Sequence, residues 1–393
     1  MPHRLVGPCL LSTVLLALIS GCGSGGGGGG SGSKDNVVLF TSRSALTQAT
    51  GANSVEPRAL FSTLGGPLLL SDGASGSILV VQTNGAPVLL TTRAALTAVT
   101  GQTSMSLGPF EQVRTGALSG RLLTADSVSG NLLILDSNGV PSLFTTKAKV
   151  TSITGKGNAN MRLPRELTLN QIVAQDLETF DLLKFDTLGN PTPFVSAAQL
   201  ALAAGLAGPP EVAAWARGAS TQSLYGRFGA TSSVIRVQIN GIVSLHVSEA
   251  TLKALFKDVA DLRVLDIEAS TRSDALLLLI GEGERGVAIA LVSADGLSAG
   301  VYVSRSDLRN AAGASSDLSD IMVLPNNIPV LVDRGGGQVL TIGDGDKPVI
   351  VGRGSKIREV SGTAAPRLSI TASLPDSTAV VFEEAGDQLI LVQ

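Results

Sequence analysis

Two cysteines, two histidines, one tryptophan and two tyrosines are all that the 393 residues supply of those types. Each shortage excludes something. Cys9 lies inside an apolar leader and Cys22 just after it, so the rest of the chain has no disulfide and no thiolate metal site. His3 also lies in the leader, which leaves His246 as the one histidine beyond it. A Ser–His–Asp triad would rest on that residue alone, and no serine elbow accompanies it. Between Leu245 and Val247, His246 is expected to point outward from an edge strand. Aromatic residues make up 3% of the chain, too few for platforms that stack bases or sugars. Trp215 is expected to pack between repeats rather than to serve as such a platform. Charged residues are 16% and the net charge is −3, so the sequence lacks the basic footprint of a nucleic-acid partner. No cofactor is implied.

What the sequence has is repetition. Hydrophobic residues reach 44% and come in short runs, which favours many strands over long helices. Residues 87–101 read PVLLTTRAALTAVTG. Residues 87–91 suit a strand. Thr92 is a good N-cap, Leu96 and Val99 share one helix face, and Gly101 can end the helix in the left-handed conformation. Counterparts of Leu96 stand at Leu46, Val150, Leu200, Leu252, Leu308 and Ile357, at steps of about fifty residues. Glycines close these stretches at Gly51, Gly101, Gly155, Gly205, Gly313 and Gly362; Asp258 stands in that place in the remaining copy.

Three further apolar runs separate one copy from the next. In the first unit they fall at 59–64, 67–71 and 78–82; in the second, at 110–114, 121–125 and 132–135. Runs three and four are joined at Asn84-Gly85, Asn138-Gly139, Leu188-Gly189-Asn190, Asn240-Gly241 and Asp295-Gly296, which are hairpin signals. Pro87, Pro141, Pro191 and Pro348 open run four, and proline belongs on an edge strand. Four antiparallel strands per unit resembles a β-propeller blade. After residue 35 the chain starts on a lone fourth strand, 37–41, and it ends after a third strand, 389–392. Joined, they make one blade. The expected fold is therefore all-β, a seven-bladed propeller with a short helix in each blade-to-blade connector and the ring closed by the N-terminal strand.

An acid precedes the third strand by six residues at Asp72, Asp126, Asp176, Asp333 and Glu383, and at Glu282 with a one-residue slip; Phe228 replaces it in the fourth unit. This rhythm resembles the NHL-like and lactonase-like propellers. The residue chemistry favours carboxylates that cap amides of the turn between strands two and three.

The first 21 residues read as a secretory signal, with His3 and Arg4 ahead of an apolar run from Leu10 to Ile19. The run is too short to span a bilayer. It ends Ile19-Ser20-Gly21-Cys22, which resembles the lipobox of bacterial lipoproteins. That resemblance implies cleavage before Cys22, lipidation of its sulfur, acylation of its amine and, with Gly23 next, sorting to the outer membrane. Residues 22–35 are then a Gly/Ser tether and 36–393 the propeller.

Candidate binding residues are Arg58, Arg165, Arg263 and Arg367, which fall at similar places near the start of strand one and would ring the channel mouth for a small anionic ligand. Each can instead pair with a turn acid. The lactonase-like resemblance implies a channel metal held by carboxylates, for which Glu111, Glu166, Asp266 and Asp320 are the candidates, but they do not repeat regularly and no metal site is assigned. The leading expectation is a non-enzymatic binding or scaffold module, monomeric and held to the envelope by its lipid, with a protein or small anion on the helix-bearing face. A metal-dependent hydrolase is the alternative, and an accessory of outer-membrane assembly comes third.

Overall fold

Short apolar runs punctuated by Asn-Gly turns bury their backbone polar groups most simply as antiparallel hairpins. The computed structural model of the protein describes residues 36–393 apart from 64–65, 169, 219–221, 271–272 and 344–345, and the side chains of Arg58, Ala59, Ile370 and Thr371 are not described. The leader 1–21, Cys22 and the tether 22–35 lie outside the described residues. Five sheets of four strands and one of eight are formed. The eight-stranded sheet is two four-stranded sets, 262–303 and 318–352, joined at the single pair Gly286–Leu318. The other sets cover 57–91, 111–145, 161–195 and 212–247. The last combines Leu368–Ser373, Ala379–Glu383 and Gln388–Val392 with the first strand of the chain, Val37–Thr41, which pairs Val37 with Val392.

Each set runs first, second, third and fourth strand side by side, and a helix of seven or eight residues follows the fourth. Ser42, Thr92, Thr146, Ser196, Ser248 and Ser304 cap six of these helices by accepting from an amide of the first turn, as the sequence predicts for Thr92. Each helix buries one residue of the repeated pivot: Leu46, Leu96, Val150, Leu200, Leu252, Leu308 and Ile357. The fifth helix, Glu249–Leu255, ends at Phe256 rather than Asp258, because no glycine follows to extend it into a left-handed cap. Among the described residues no helix is long and apolar enough to cross a membrane.

The core is not in the sheets' own planes but between them. Leu69, Ile78 and Leu96 pack with Phe110, Leu122 and Leu133 of the next set. Leu183 and Phe185 face Leu123 and Leu132. Leu60, Leu68 and Leu79 of the first set face Val380, Phe382 and Leu389 of the last. Ser62 and Ser373 are 3.2 Å apart across that same junction, where the chain's first and last sets meet. Turn glycines make the close approach possible. Gly85 has φ 82° and Gly189 φ 70°. A Cβ at Gly85 would lie 2.0 Å from the carbonyl of Phe40, and one at Gly189 1.7 Å from that of Phe144. Each hairpin therefore nests on the fourth strand of the set before it.

Candidate functional site

The turn acids are spent on the fold. Asp126 is fully buried and accepts from the amides of Ser106, Val128 and Ser129 at 2.9–3.2 Å and from the Ser129 hydroxyl at 2.6 Å. Asp72 accepts from Glu56, Ala74 and Ser75, and Glu383 from Arg367, Ala385 and Gly386. Each carboxylate thus ties the turn between strands two and three to the backbone entering strand one, as the spacing predicts.

Strand register places the four candidate arginines. Pro57, Met161, Leu262 and Leu368 stand opposite the acids Asp72, Asp176, Glu282 and Glu383. Arg58 and Arg263 come one residue later, Arg367 one residue earlier and Arg165 four later, so they do not share one level. The residue level with Arg58 and Arg263 in the third set is Arg162, which ion-pairs with Glu211. A register shift between Arg162 and Arg165, where Leu163 takes φ 50°, sets Arg165 opposite Val173, three residues from Asp176 on the partner strand. Arg263 lies 3.3 Å from Asp261 on exposed surface, and Arg367 lies 3.5 Å from Glu384, which Arg334 also approaches to 3.1 Å. Arg58 belongs to the strand Pro57–Ser62, and its side chain is among those not described.

Arg165 belongs to a different group, built where the first strands of successive sets lie against one another. Glu166, fully buried, accepts from the amides of Arg114 and Thr115 at 2.9 and 3.0 Å, from the Thr115 hydroxyl, and from the Arg217 guanidinium at 2.6 Å. Arg165 lies 3.4 Å from Glu111, whose other carboxylate oxygen accepts from the Glu166 amide at 3.3 Å. Asp266 and Glu268 sit on the strand Leu262–Ala269, and Asp320 on the neighbouring first strand Leu318–Val323. Burial, then the charges of Asp320 and Glu268, raise the Asp266 pKa well above the usual range, and the Asp320 side chain adds to the rise. Burial and the Asp320 charge push Glu268 up to about 8, against the opposing pull of Arg165 and Arg114. Arg227 donates to the Val264 carbonyl at 3.1 Å; burial lowers its pKa and the Asp266 charge partly restores it.

These groups come from strands far apart in the sequence. The charges of Asp320, Arg165 and Arg114 all act on Glu268. Of the carboxylates singled out from the sequence, Glu111 and Glu166 are engaged by arginines, and Asp266 and Asp320 by each other. Among the described residues no three of His, Cys, Asp and Glu converge as metal ligands. Sequence reasoning missed Glu268, Arg114, Arg217 and Arg227. Glu268 was legible: two residues after Asp266 on one strand, it must share its face.

His246 departs from expectation. It is 4% exposed, its ring centroid is 4.7 Å from that of Tyr225, and burial with the nearby Arg236 charge lowers its pKa to about 4. The outer strand of the fourth set is covered there by the following hairpin, since a Cβ at Gly296 would fall 2.5 Å from the His246 carbonyl. Trp215 is buried as expected, its ring lying over Gly226 of the neighbouring strand and beside Leu163, Leu167 and Val173 of the preceding set.

No family model and no curated protein matches the chain. Solved structures do. A virginiamycin B lyase from Staphylococcus aureus has 9% identity and a TM-score of 0.61 over 91% of this chain and 99% of its own. YCF48 bound to D1 peptide has 10% identity and a TM-score of 0.57 over 91% and 95%. The β-propeller domain of Cps50 (Swd1) from Myceliophteria thermophila has 10% and 0.55 over 86% and 96%. At such identities the likeness is one of fold: this chain is a β-propeller.

Proposed function

We propose that the protein is an envelope lipoprotein, anchored through Cys22 to the outer membrane, whose seven four-stranded blades close into a ring that serves as a non-enzymatic binding or scaffold module. The helix after each fourth strand lies in a blade-to-blade connector, and the lone strand Val37–Thr41 completes the last blade. One observation carries the non-enzymatic reading. The acids of the central space are already matched, Glu166 to Arg217 and Thr115, Glu111 to Arg165, and Asp266 to Asp320. A set of charges paired internally suits recognition of a polar group better than nucleophilic or metal-assisted chemistry. Among the similar folds, one structure is a complex with a peptide. Another is a lyase, of which a histidine-to-alanine variant is described as catalytically inactive. The one histidine described here is buried in an outer strand, away from the central acids, which speaks against a lyase of that kind.

The hydrolase reading retains one supporting observation, the closeness of Asp266, Glu268 and Asp320. A divalent ion there would have to displace the protons that the raised pKa values of Asp266 and Glu268 favour. Calorimetric titration of the full chain with calcium and with magnesium separates the two readings. The binding-module reading expects no heat above dilution; saturable binding lost in Asp320→Asn would overturn it in favour of the hydrolase.

A further inference from the structure

The junction between the fifth and sixth sets differs from the others. Among the described residues it is the one place where strands of successive sets pair, at Gly286 and Leu318. A Cβ at Gly286 would lie 2.3 Å from the Leu318 carbonyl, so glycine there lets the strand Arg285–Val292 approach the connector that enters the sixth set. That connector holds Arg285: its Nε donates to the Ser316 carbonyl at 2.8 Å and its Nη2 to the Ala314 carbonyl at 2.9 Å. Arg305 and Arg309 stand one turn apart on the helix Arg305–Ala312. These three arginines line one cleft with Val287 and Ser316.

The charges in the cleft do not balance. Arg305 is matched, since its Nη1 and Nη2 donate to the two Glu282 oxygens at 3.3 and 2.8 Å. Arg285 is oriented by carbonyls, which do not neutralise it. The exposed Arg309 side chain makes no hydrogen bond or ion pair among the described residues. The other acids near in sequence do not make up the difference. Asp307 closes the capping box on Ser304, Asp258 offers Arg305 its backbone carbonyl, and Asp258, Glu284 and Asp317 form no ion pair among the described residues. Two guanidiniums are thus left without a counter-ion. Ser316 is 5% exposed, and its hydroxyl makes no hydrogen bond among the described residues.

We propose that this cleft binds the phosphate monoester group of a small soluble molecule, held by Arg285 and Arg309 with the Ser316 hydroxyl. The two unmatched charges equal those of a monoester dianion. The donors come from three elements, a strand, a helix and a connector, which suits the three free oxygens of a tetrahedral group; a carboxylate is satisfied by a single guanidinium fork. The site lies apart from the central acids and does not depend on how the chain is anchored.

Phosphorus NMR of methyl phosphate, titrated with the full chain at fixed ionic strength, tests it. The titration is run well above the second phosphate pKa of about 6, so that the ester is a dianion. The site predicts a saturable shift of the phosphorus line that inorganic phosphate reverses by competition and acetate at the same concentration does not. Arg309→Gln should weaken binding at least about tenfold, and Arg309→Lys, which keeps the charge but not the fork, about threefold. Arg309 is exposed and unpaired, so both variants should keep the wild-type Tm. Arg121→Gln, which removes an exposed arginine elsewhere, should leave binding unchanged. The absence of a saturable shift, equal affinity in wild type and Arg309→Gln, or reversal by acetate overturns the site. Arg309-dependent binding to phosphatidic acid vesicles with no shift of methyl phosphate also overturns it, because the partner would then be a lipid surface.

Discussion

Asp126, fully buried, holds three amides and a hydroxyl of the turn and of the backbone entering strand one. Asp126→Ala is therefore expected to cost about 3 kcal/mol, and Asp126→Asn about half of that, since an amide oxygen can still accept. Urea unfolding of the two variants checks the order. Titratable groups at two places give the stability a pH dependence of opposite sign. Glu268 ionises near 4.5 in an open chain but near 8 in the fold, so the folded state holds the extra proton between those values and stability falls as pH rises through them. His246 ionises near 6.5 when unfolded and near 4 when folded, so there the unfolded state holds the extra proton and stability falls as pH drops. Either limb is no steeper than about 1.4 kcal/mol per pH unit for one proton. Thermal melts across pH 4 to 9 should show Glu268→Gln flattening the alkaline limb and His246→Phe flattening the acid one; unchanged limbs would contradict both assignments.

Among elements, the hairpins show most clearly what one residue type is required to do. Gly189 turns the chain at φ 70° and also leaves room for the Phe144 carbonyl. Gly101 has nearly the same φ, 68°, with nothing within 4 Å of the place a Cβ would take. Gly189→Ala should cost about 2–4 kcal/mol and Gly101→Ala only about 1, because the second suffers conformational strain alone. Chemical denaturation of the pair measures the difference. Turn chemistry of this kind is local, which is why strands, hairpins and helix caps could be read from the sequence to within a residue or two: the expected strand 78–82 is found at Ile78–Val81, and 121–125 at Leu122–Asp126. What could not be read was non-local. The cover over His246 comes from the next set's hairpin. Asp266 and Asp320 were visible as acids near first strands, but their influence on one another depends on two neighbouring sets meeting.

For the whole molecule, the repeating unit cannot bury its own apolar faces. Each set of strands supplies one side of two core clusters, so a set without neighbours on both sides exposes one of them. The strand Val37–Thr41 matters for that reason. It covers Ile390 and Val392 by pairing with them and buries Val37 at 4% exposure. Closure then depends on one strand. The measurement that tests this most directly is thermal unfolding of a chain beginning at Ser42, with and without a peptide of residues 36–42. The account predicts a Tm lower by about 5–10 °C, recovered when the peptide is added. An unchanged Tm, or a loss that the peptide does not restore, would contradict closure by the N-terminal strand.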